Sequence, residues 1–192
     1  MGVKSPVVRT PAGVGVLVSG SGTNLQALID ADIPIVAVAA NIASAPALER
    51  AARIGAPTDV FPLDGYADRD ARDAAMADWL ESLGVGLVVC AGYMHLLRPV
   101  FLARFPGRVV NVHPALLPAF PGAHAVEEAL AAGVAETGAT VHLVDEGVDT
   151  GVVLRQEAVA VLPGDTPETL HARIQAVEHR LLPEVVRELT VA

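Results

Sequence analysis

Short runs of β-branched residues alternate with alanine- and leucine-rich segments of helical length, and this rhythm restricts the fold more than any other feature of the chain. Parallel strands need a crossover between them, and the usual crossover is a helix, so the pattern predicts an α/β fold: a mostly parallel sheet with helices on both faces. The predicted strands are Val14–Val18, Ile35–Ala39, Thr58–Phe61, Leu87–Cys90, Val109–Val112, Ala139–Val144 and Val152–Ala160, with the last two open to an antiparallel arrangement. The predicted helices are Asn24–Ala31, Pro46–Ile54, Arg69–Leu83, Pro99–Arg104, Ala125–Ala132 and Pro167–Glu188. Val14, Val16 and Val18 belong to a nearly continuous apolar run, as in a strand covered on both faces. Leu170, Ile174, Val177 and Leu181 recur at three- and four-residue spacing and give the last helix one apolar stripe.

Composition narrows the function classes. Of 192 residues, 52% are hydrophobic and 18% charged, enough core-forming material for one compact domain over 1–192 without disulfides or a structural metal. The single cysteine, Cys90, allows no intramolecular disulfide. Thirteen basic against 22 acidic side chains leave a formal charge of −9, and no basic tract interrupts it. Coating of nucleic acid or binding to a membrane surface needs clustered Lys and Arg, so small-molecule chemistry leads. The longest uncharged stretch, Thr10 to Ile29, is broken by Ser19-Gly20-Ser21-Gly22-Thr23-Asn24, and Ile33 to Leu48 contains Pro34, Asn41 and Pro46. Neither reads as a membrane span. Lys4 and Arg9 precede an apolar run, Val14 to Val18, that is too short for a signal peptide, so the expected location is cytoplasmic.

The glycine loop Ser19–Asn24 lies between a predicted buried strand and a helix. Backbone N–H groups and a helix N-terminus would converge above it, which suits an anion such as a phosphate. Glycine permits close backbone approach there, and Ser21, Thr23 and Asn24 can add side-chain donors. The alternative is a tight strand-to-helix turn with an Asn cap. A Walker loop is excluded because Gly-Lys-Ser/Thr is missing, and the dinucleotide fingerprint because Leu25 stands in place of its third glycine. Asn41, where a carboxylate for ribose hydroxyls would be expected, speaks further against NAD.

Asn111-Val112-His113-Pro114 ends the fifth predicted strand. Strand alternation points Asn111 and His113 to the same side, toward the crevice where open α/β sheets bind ligands. An amide and an imidazole together suit the oxyanion of acyl transfer; the alternative is a polar strand end before a proline. Asp149, in a glycine-containing loop between the last two strands, can complete a proton-handling set. No Gly-x-Ser-x-Gly elbow offers a hydrolytic nucleophile, and the histidines at 95, 113, 124, 142, 171 and 179 show no metal-binding spacing. Pro114 to Pro121 is the longest expected irregular segment, a place where function often resides.

These motifs resemble the folate-dependent phosphoribosylglycinamide (glycinamide ribonucleotide, GAR) formyltransferases over nearly the whole chain. The resemblance rests on Val18–Ala27, on Ala91-Gly92-Tyr93-Met94, on Asn111–Pro118 and on Val148-Asp149-Thr150-Gly151. The related tRNA formyltransferases and formyltetrahydrofolate deformylases share the Asn-x-His-Pro and downstream Asp, but each carries an added domain for which this chain has no room. The resemblance implies a three-layer Rossmann-like formyltransferase fold, with phosphate binding in the N-terminal half and folate binding and catalysis in the C-terminal half. It implies formyl transfer from 10-formyltetrahydrofolate, as co-substrate, to the glycinamide amine of GAR without a metal, in purine (IMP) biosynthesis. Asn111, His113 and Asp149 would be catalytic. Gly22, Thr23, Asn24 and Glu178 would bind GAR. Arg69, Met94, His95, Leu96, Leu97, Val144 and Asn111 would bind the folate, Arg69 at its anionic tail. His95 is a departure, since some family members carry Arg there, and His142 matches a family histidine near the catalytic acid. The chain is expected to act as a monomer or homodimer. Two rivals are an enzyme using the same formyl donor on another amine or on water, and a non-catalytic nucleotide-binding module.

Overall fold

The computed structural model describes residues 13–190. In chain order the elements are β1 (Gly13–Val18), α1 (Thr23–Asp30), β2 (Ile35–Ala40), α2 (Ala47–Arg53), β3 (Thr58–Val60), a 3-10 turn at Leu63–Gly65, α3 (Arg69–Ser82), β4 (Val85–Cys90), α4 (Pro99–Leu102), β5 (Val109–His113), α5 (Ala125–Ala131), β6 (Glu136–Leu143), β7 (Val153–Ala160) and α6 (Pro167–Thr190). Lys4, Arg9 and Thr10 lie outside the described residues.

All seven strands form one sheet in the order β3-β2-β1-β4-β5-β6-β7. Strands β1 to β5 run parallel to one another, whereas β6 is antiparallel to both β5 and β7. The sheet is therefore mixed at one side and otherwise doubly wound.

The alternating side chains of β1 feed two separate cores. Val14, Val16 and Val18 pack with Leu25, Leu28, Ala51, Val126, Leu170, Ile174 and Leu181, so α1, α2, α5 and α6 cover one face. Leu17 packs with Met76, Leu80, Phe101 and Phe105 from α3, α4 and the turn after α4 on the other. Each fully buried Leu or Ile contributes about 1.5–3 kcal/mol. Three layers result.

Most boundaries shift by a residue or two from the sequence pattern, and β6 begins three residues early, at Glu136 rather than Ala139. Helix α4 stops at Leu102 rather than Arg104, because the Phe105 N–H donates to the Leu102 carbonyl at 3.2 Å and tightens the chain into a turn. Helix α6 runs through the buried Pro183 and ends at Thr190 rather than Glu188.

Chain order reverses between β1 and β4, one connection leading outward through β2 and the other through β5. Open α/β sheets have a crevice outside the carboxyl ends of the strands at such a point. The loops after β1, β4 and β5 meet there. Ser19 stitches two of them together: its N–H donates to the Gly92 carbonyl at 3.2 Å, and its Oγ accepts the Met94 N–H at 2.9 Å.

Candidate active site

The loop after β1 turns on Gly22, whose φ of 71° lies in the left-handed region, and no side chain caps α1. A Cβ at Gly22 would stand 2.6 Å from the Ala47 Cβ and 2.9 Å from its Cα, so the loop rests directly on the start of α2. The Ala47 N–H donates to the Gly20 carbonyl at 3.2 Å, and Arg50 Nε donates to the Ser21 carbonyl at 2.9 Å. Thr23 is half-buried at the first position of α1. Asn24 is buried, and its side-chain N–H2 is committed to Glu178 Oε2 at 3.0 Å, linking α1 to α6. Gly22, Thr23, Asn24 and Glu178 thus lie around one end of α1, and with its side chain held by Glu178, Asn24 has its backbone N–H to offer an anion. A cavity of about 440 Å³ flanks this helix, lined by Thr23, Gln26, Asp30, Arg50 and His179 among others.

The chemistry-bearing residues converge in a second cavity of about 320 Å³. Asn111 and His113 point the same way from β5, as a strand period of two requires. Pairing of β5 with β6 sets His142 directly beside Asn111. The loop from Val144 to Val152 then returns Asp149 into the same space. This return is tight: a Cβ at Gly151 would lie 1.7 Å from the Leu143 carbonyl oxygen, so only glycine lets the loop pass. Asp149 itself has a left-handed φ of 53°.

The Asp149 carboxylate is the hub of the site. Its Oδ1 lies 3.4 Å from both Asn111 Nδ2 and His142 Nε2. Its Oδ2 accepts the Gly122 N–H at 2.8 Å and lies 3.3 Å from His113 Nδ1. Burial alone would raise its pKa; the bond with His142, the Gly122 N–H and the charges of His113 and His142 outweigh burial and hold the carboxyl below its usual range. His113 is buried, and its Nε2 lies 2.7 Å from the Phe120 carbonyl oxygen. Both ring nitrogens of His113 therefore face acceptors, which a ring with a hydrogen on each nitrogen satisfies. His142 Nδ1 lies 2.8 Å from the Leu143 carbonyl, leaving its Nε2 for Asn111 at 3.2 Å.

Met94, His95, Leu96, Leu97 and Val144 line the same cavity as Asn111. Met94 and Leu96 are exposed at its mouth and Leu97 is buried. Arg69, exposed at the start of α3, is not among the lining residues. Cys90 lines the cavity too, but burial pushes its thiol up to about 12, so it offers no thiolate nucleophile near neutrality. Among the described residues, no three His, Cys, Asp or Glu side chains are arranged to hold a metal ion, and no helix is long and apolar enough to cross a membrane.

Four contributors escaped the sequence reading of the site. The Gly122 N–H and the Phe120 carbonyl are backbone groups, and only the irregular run around Pro114 to Pro121 hinted at them. Arg72 and Asn41 stand behind His95; Arg72 carries no signal at all, because a charged residue on a helix is expected to face water.

Comparison with known proteins places this geometry in a family. A family model described as formyl transferase matches residues 13–186. A phosphoribosylglycinamide formyltransferase of Mycobacterium tuberculosis is 49% identical over 183 residues, covering 93% of this chain and 85% of that protein. The trifunctional purine biosynthetic protein adenosine-3 of Drosophila pseudoobscura pseudoobscura is 44% identical over 181 residues, which span 90% of this chain and 13% of the longer protein. Among solved structures, glycinamide ribonucleotide transformylase 1 of Symbiobacterium toebii superposes with a TM-score of 0.90 at 49% identity, covering 92% of this chain and 86% of that one. A likeness of fold alone does not carry sequence identity of this order across nearly the whole length, and the chain belongs to the formyl transferase family, among its phosphoribosylglycinamide formyltransferases.

Proposed function

We infer that the protein transfers the formyl group of 10-formyltetrahydrofolate to the glycinamide amine of GAR, yielding formyl-GAR and tetrahydrofolate in purine biosynthesis. The observation that carries this reading is the Asp149 carboxylate with Asn111, His113 and His142 gathered around it at one strand end. This is the equipment of acyl transfer between two bound small molecules: a donor for an oxyanion, a cationic ring and an ionised acid.

In the proposed mechanism the acceptor amine attacks the formyl carbon, and the new C–N bond turns the formyl oxygen into an oxyanion. Asn111 Nδ2 stabilises it by turning a hydrogen from its long 3.4 Å contact with Asp149 to the oxyanion. His113 acts chiefly through its positive charge, since its two nitrogens already face Phe120 and Asp149. A direct N–H from His113 requires exchange of the Phe120 carbonyl for the substrate oxygen. The amine loses one proton, the C–N10 bond breaks, and N10 gains one, so the protons balance. Asp149 relays that proton through water. A carboxyl held below its usual range is a weak base, so it passes the proton on within the turnover rather than keeping it. Holding both substrates in one crevice supplies the rest by orientation.

Gly22, Thr23 and the Asn24 backbone would hold the ribonucleotide phosphate at the α1 N-terminus, with Glu178 on the sugar or glycinamide portion. Met94, His95, Leu96, Leu97 and Val144 would form the folate pocket, and Arg69 would meet the anionic tail outside it. The mechanism calls on no metal. We further propose one catalytic unit over 1–192 acting in the cytoplasm as a monomer or homodimer, tested by fractionation and sedimentation.

The test is an assay with GAR and 10-formyltetrahydrofolate that monitors both products, run beside a sugar-nucleotide amine and water as alternative acceptors. Asn111→Ala is expected to lower kcat by about 10²–10³ with little change in the GAR KM. Near-normal turnover in the folded variant, or folate release independent of GAR, rejects the reading.

A further inference from the structure

His95 is half-buried in the wall of the cavity, between the end of β2 and α3, and both of its ring nitrogens are engaged. Nδ1 faces Nη1 of Arg72, and Nε2 lies 3.3 Å from the side-chain nitrogen of Asn41. A guanidinium is always charged and has only hydrogens to offer, so Nδ1 must supply the lone pair. A neutral ring then carries its single hydrogen on Nε2, and that hydrogen needs an acceptor. Amide oxygen and nitrogen exchange places by a half-turn of the side chain, and the Asn41 oxygen is buried without a partner. The turned amide sets this oxygen on the Nε2 hydrogen. Either orientation leaves one buried amide atom unpaired, but only the turned one avoids two donors aimed at a ring with one lone pair.

Arg72 and its partner Asp73 are themselves fully buried. Asp73 Oδ2 accepts the Arg98 N–H at 2.7 Å. The same buried pair on α3 therefore holds the loop after β4 at two points, His95 and Arg98, with Met94, Leu96 and Leu97 presented to the cavity around them. The charged groups facing the ring are Arg72, Arg69 and Asp73 on α3. On its own loop, Tyr93 packs edge-on at 5.8 Å between ring centroids. Burial first, then the charges of Arg72 and Arg69, keep His95 below the usual histidine range.

We propose that His95 is a positioning residue of the donor pocket, locked as the neutral Nε2–H tautomer between Arg72 and Asn41, and that it sets the wall against which the formyl donor lies. The inference rests on the proposed reading of this cavity as the donor site.

Nitrogen-15 NMR of the full chain labelled at histidine is expected to show His95 with an unprotonated Nδ1 and a protonated Nε2 through the neutral range, since its ring is held below the usual histidine range. A hydrogen on Nδ1 in that range overturns the proposal. His95→Gln, which cannot place an acceptor where Nδ1 stands, is expected to raise the donor KM about tenfold, the worth of one hydrogen bond to a charged group. The loss falls on the donor KM rather than on kcat or the acceptor KM. His95→Asn, which keeps an acceptor near Nδ1, is expected to recover most of it. An unchanged donor KM in His95→Gln, or no recovery in His95→Asn, also overturns the proposal. Failure of the wild-type enzyme to formylate GAR refutes the reading of the cavity instead, and leaves the tautomer measurable by itself.

Discussion

Replacing Asp149 by asparagine separates the charge of this residue from its shape. Asp149 accepts or faces four groups: the Gly122 N–H and His113 through Oδ2, and Asn111 and His142 through Oδ1. An asparagine keeps most of this network when its oxygen takes the Oδ2 place, because its N–H2 can then pair with His142 in the tautomer that carries its hydrogen on Nδ1, toward the Leu143 carbonyl. Only the Asn111 donor loses its carboxylate partner. The expected loss of stability is about 1–2 kcal/mol, one unmet hydrogen bond, or about 2–8 °C in Tm for a chain of this size. Turnover should suffer far more. Without the negative charge, the cationic form of His113 loses its counterion and the proton relay loses its base, which together predict a fall in kcat of about 10²–10⁴. Circular dichroism melting and the two-product formyl transfer assay measure the two effects on the same preparation. Asp149→Asn that melts within the expected range yet turns over within about threefold of wild type would refute the central role of the carboxylate.

The pH dependence has a definite sign. Because the folded Asp149 pKa is lowered, its contribution to stability is complete above the ordinary value of about 3.9 and is lost as pH falls through the lower folded value. The Tm difference between wild type and Asp149→Asn should stay flat through the neutral range and close only below about pH 4; a difference already closing near pH 6 contradicts the assignment. Gly22→Ala must adopt a left-handed φ, costing about 1–2 kcal/mol, and must push Ala47 and α2 away from the loop. The acceptor KM should rise by about 10–100-fold with the donor KM unchanged, and equal effects on both substrates would remove the phosphate from this loop.

The strand runs, the glycine loop and the shared direction of Asn111 and His113 were legible because each depends on local periodicity: a side chain two residues along a strand returns to the same face. The orientation of β6 was legible only as an open possibility of antiparallel pairing. All but its first residue are buried, so its sequence shows no alternation to read, and its pairing with β5 is a long-range choice. That choice matters for function, since antiparallel pairing is what sets His142 beside Asn111. Arg72 was hidden for the opposite reason: its charge reads as a solvent-facing residue, and only the packing of α3 against the loop after β4 makes it a buried cation with Asp73 and His95 as neighbours.

The amino-acid order by itself therefore determined the α/β architecture, the glycine turn between β1 and α1 and the shared direction of Asn111 and His113 on β5. Tertiary structure alone decided that Asp149, 36 residues or more beyond Asn111 and His113, closes on them through a loop that only Gly151 allows to pass. Periodic burial is written within a few residues of chain, whereas the field and hydrogen-bond partners of a buried carboxylate depend on groups that folding brings from distant segments.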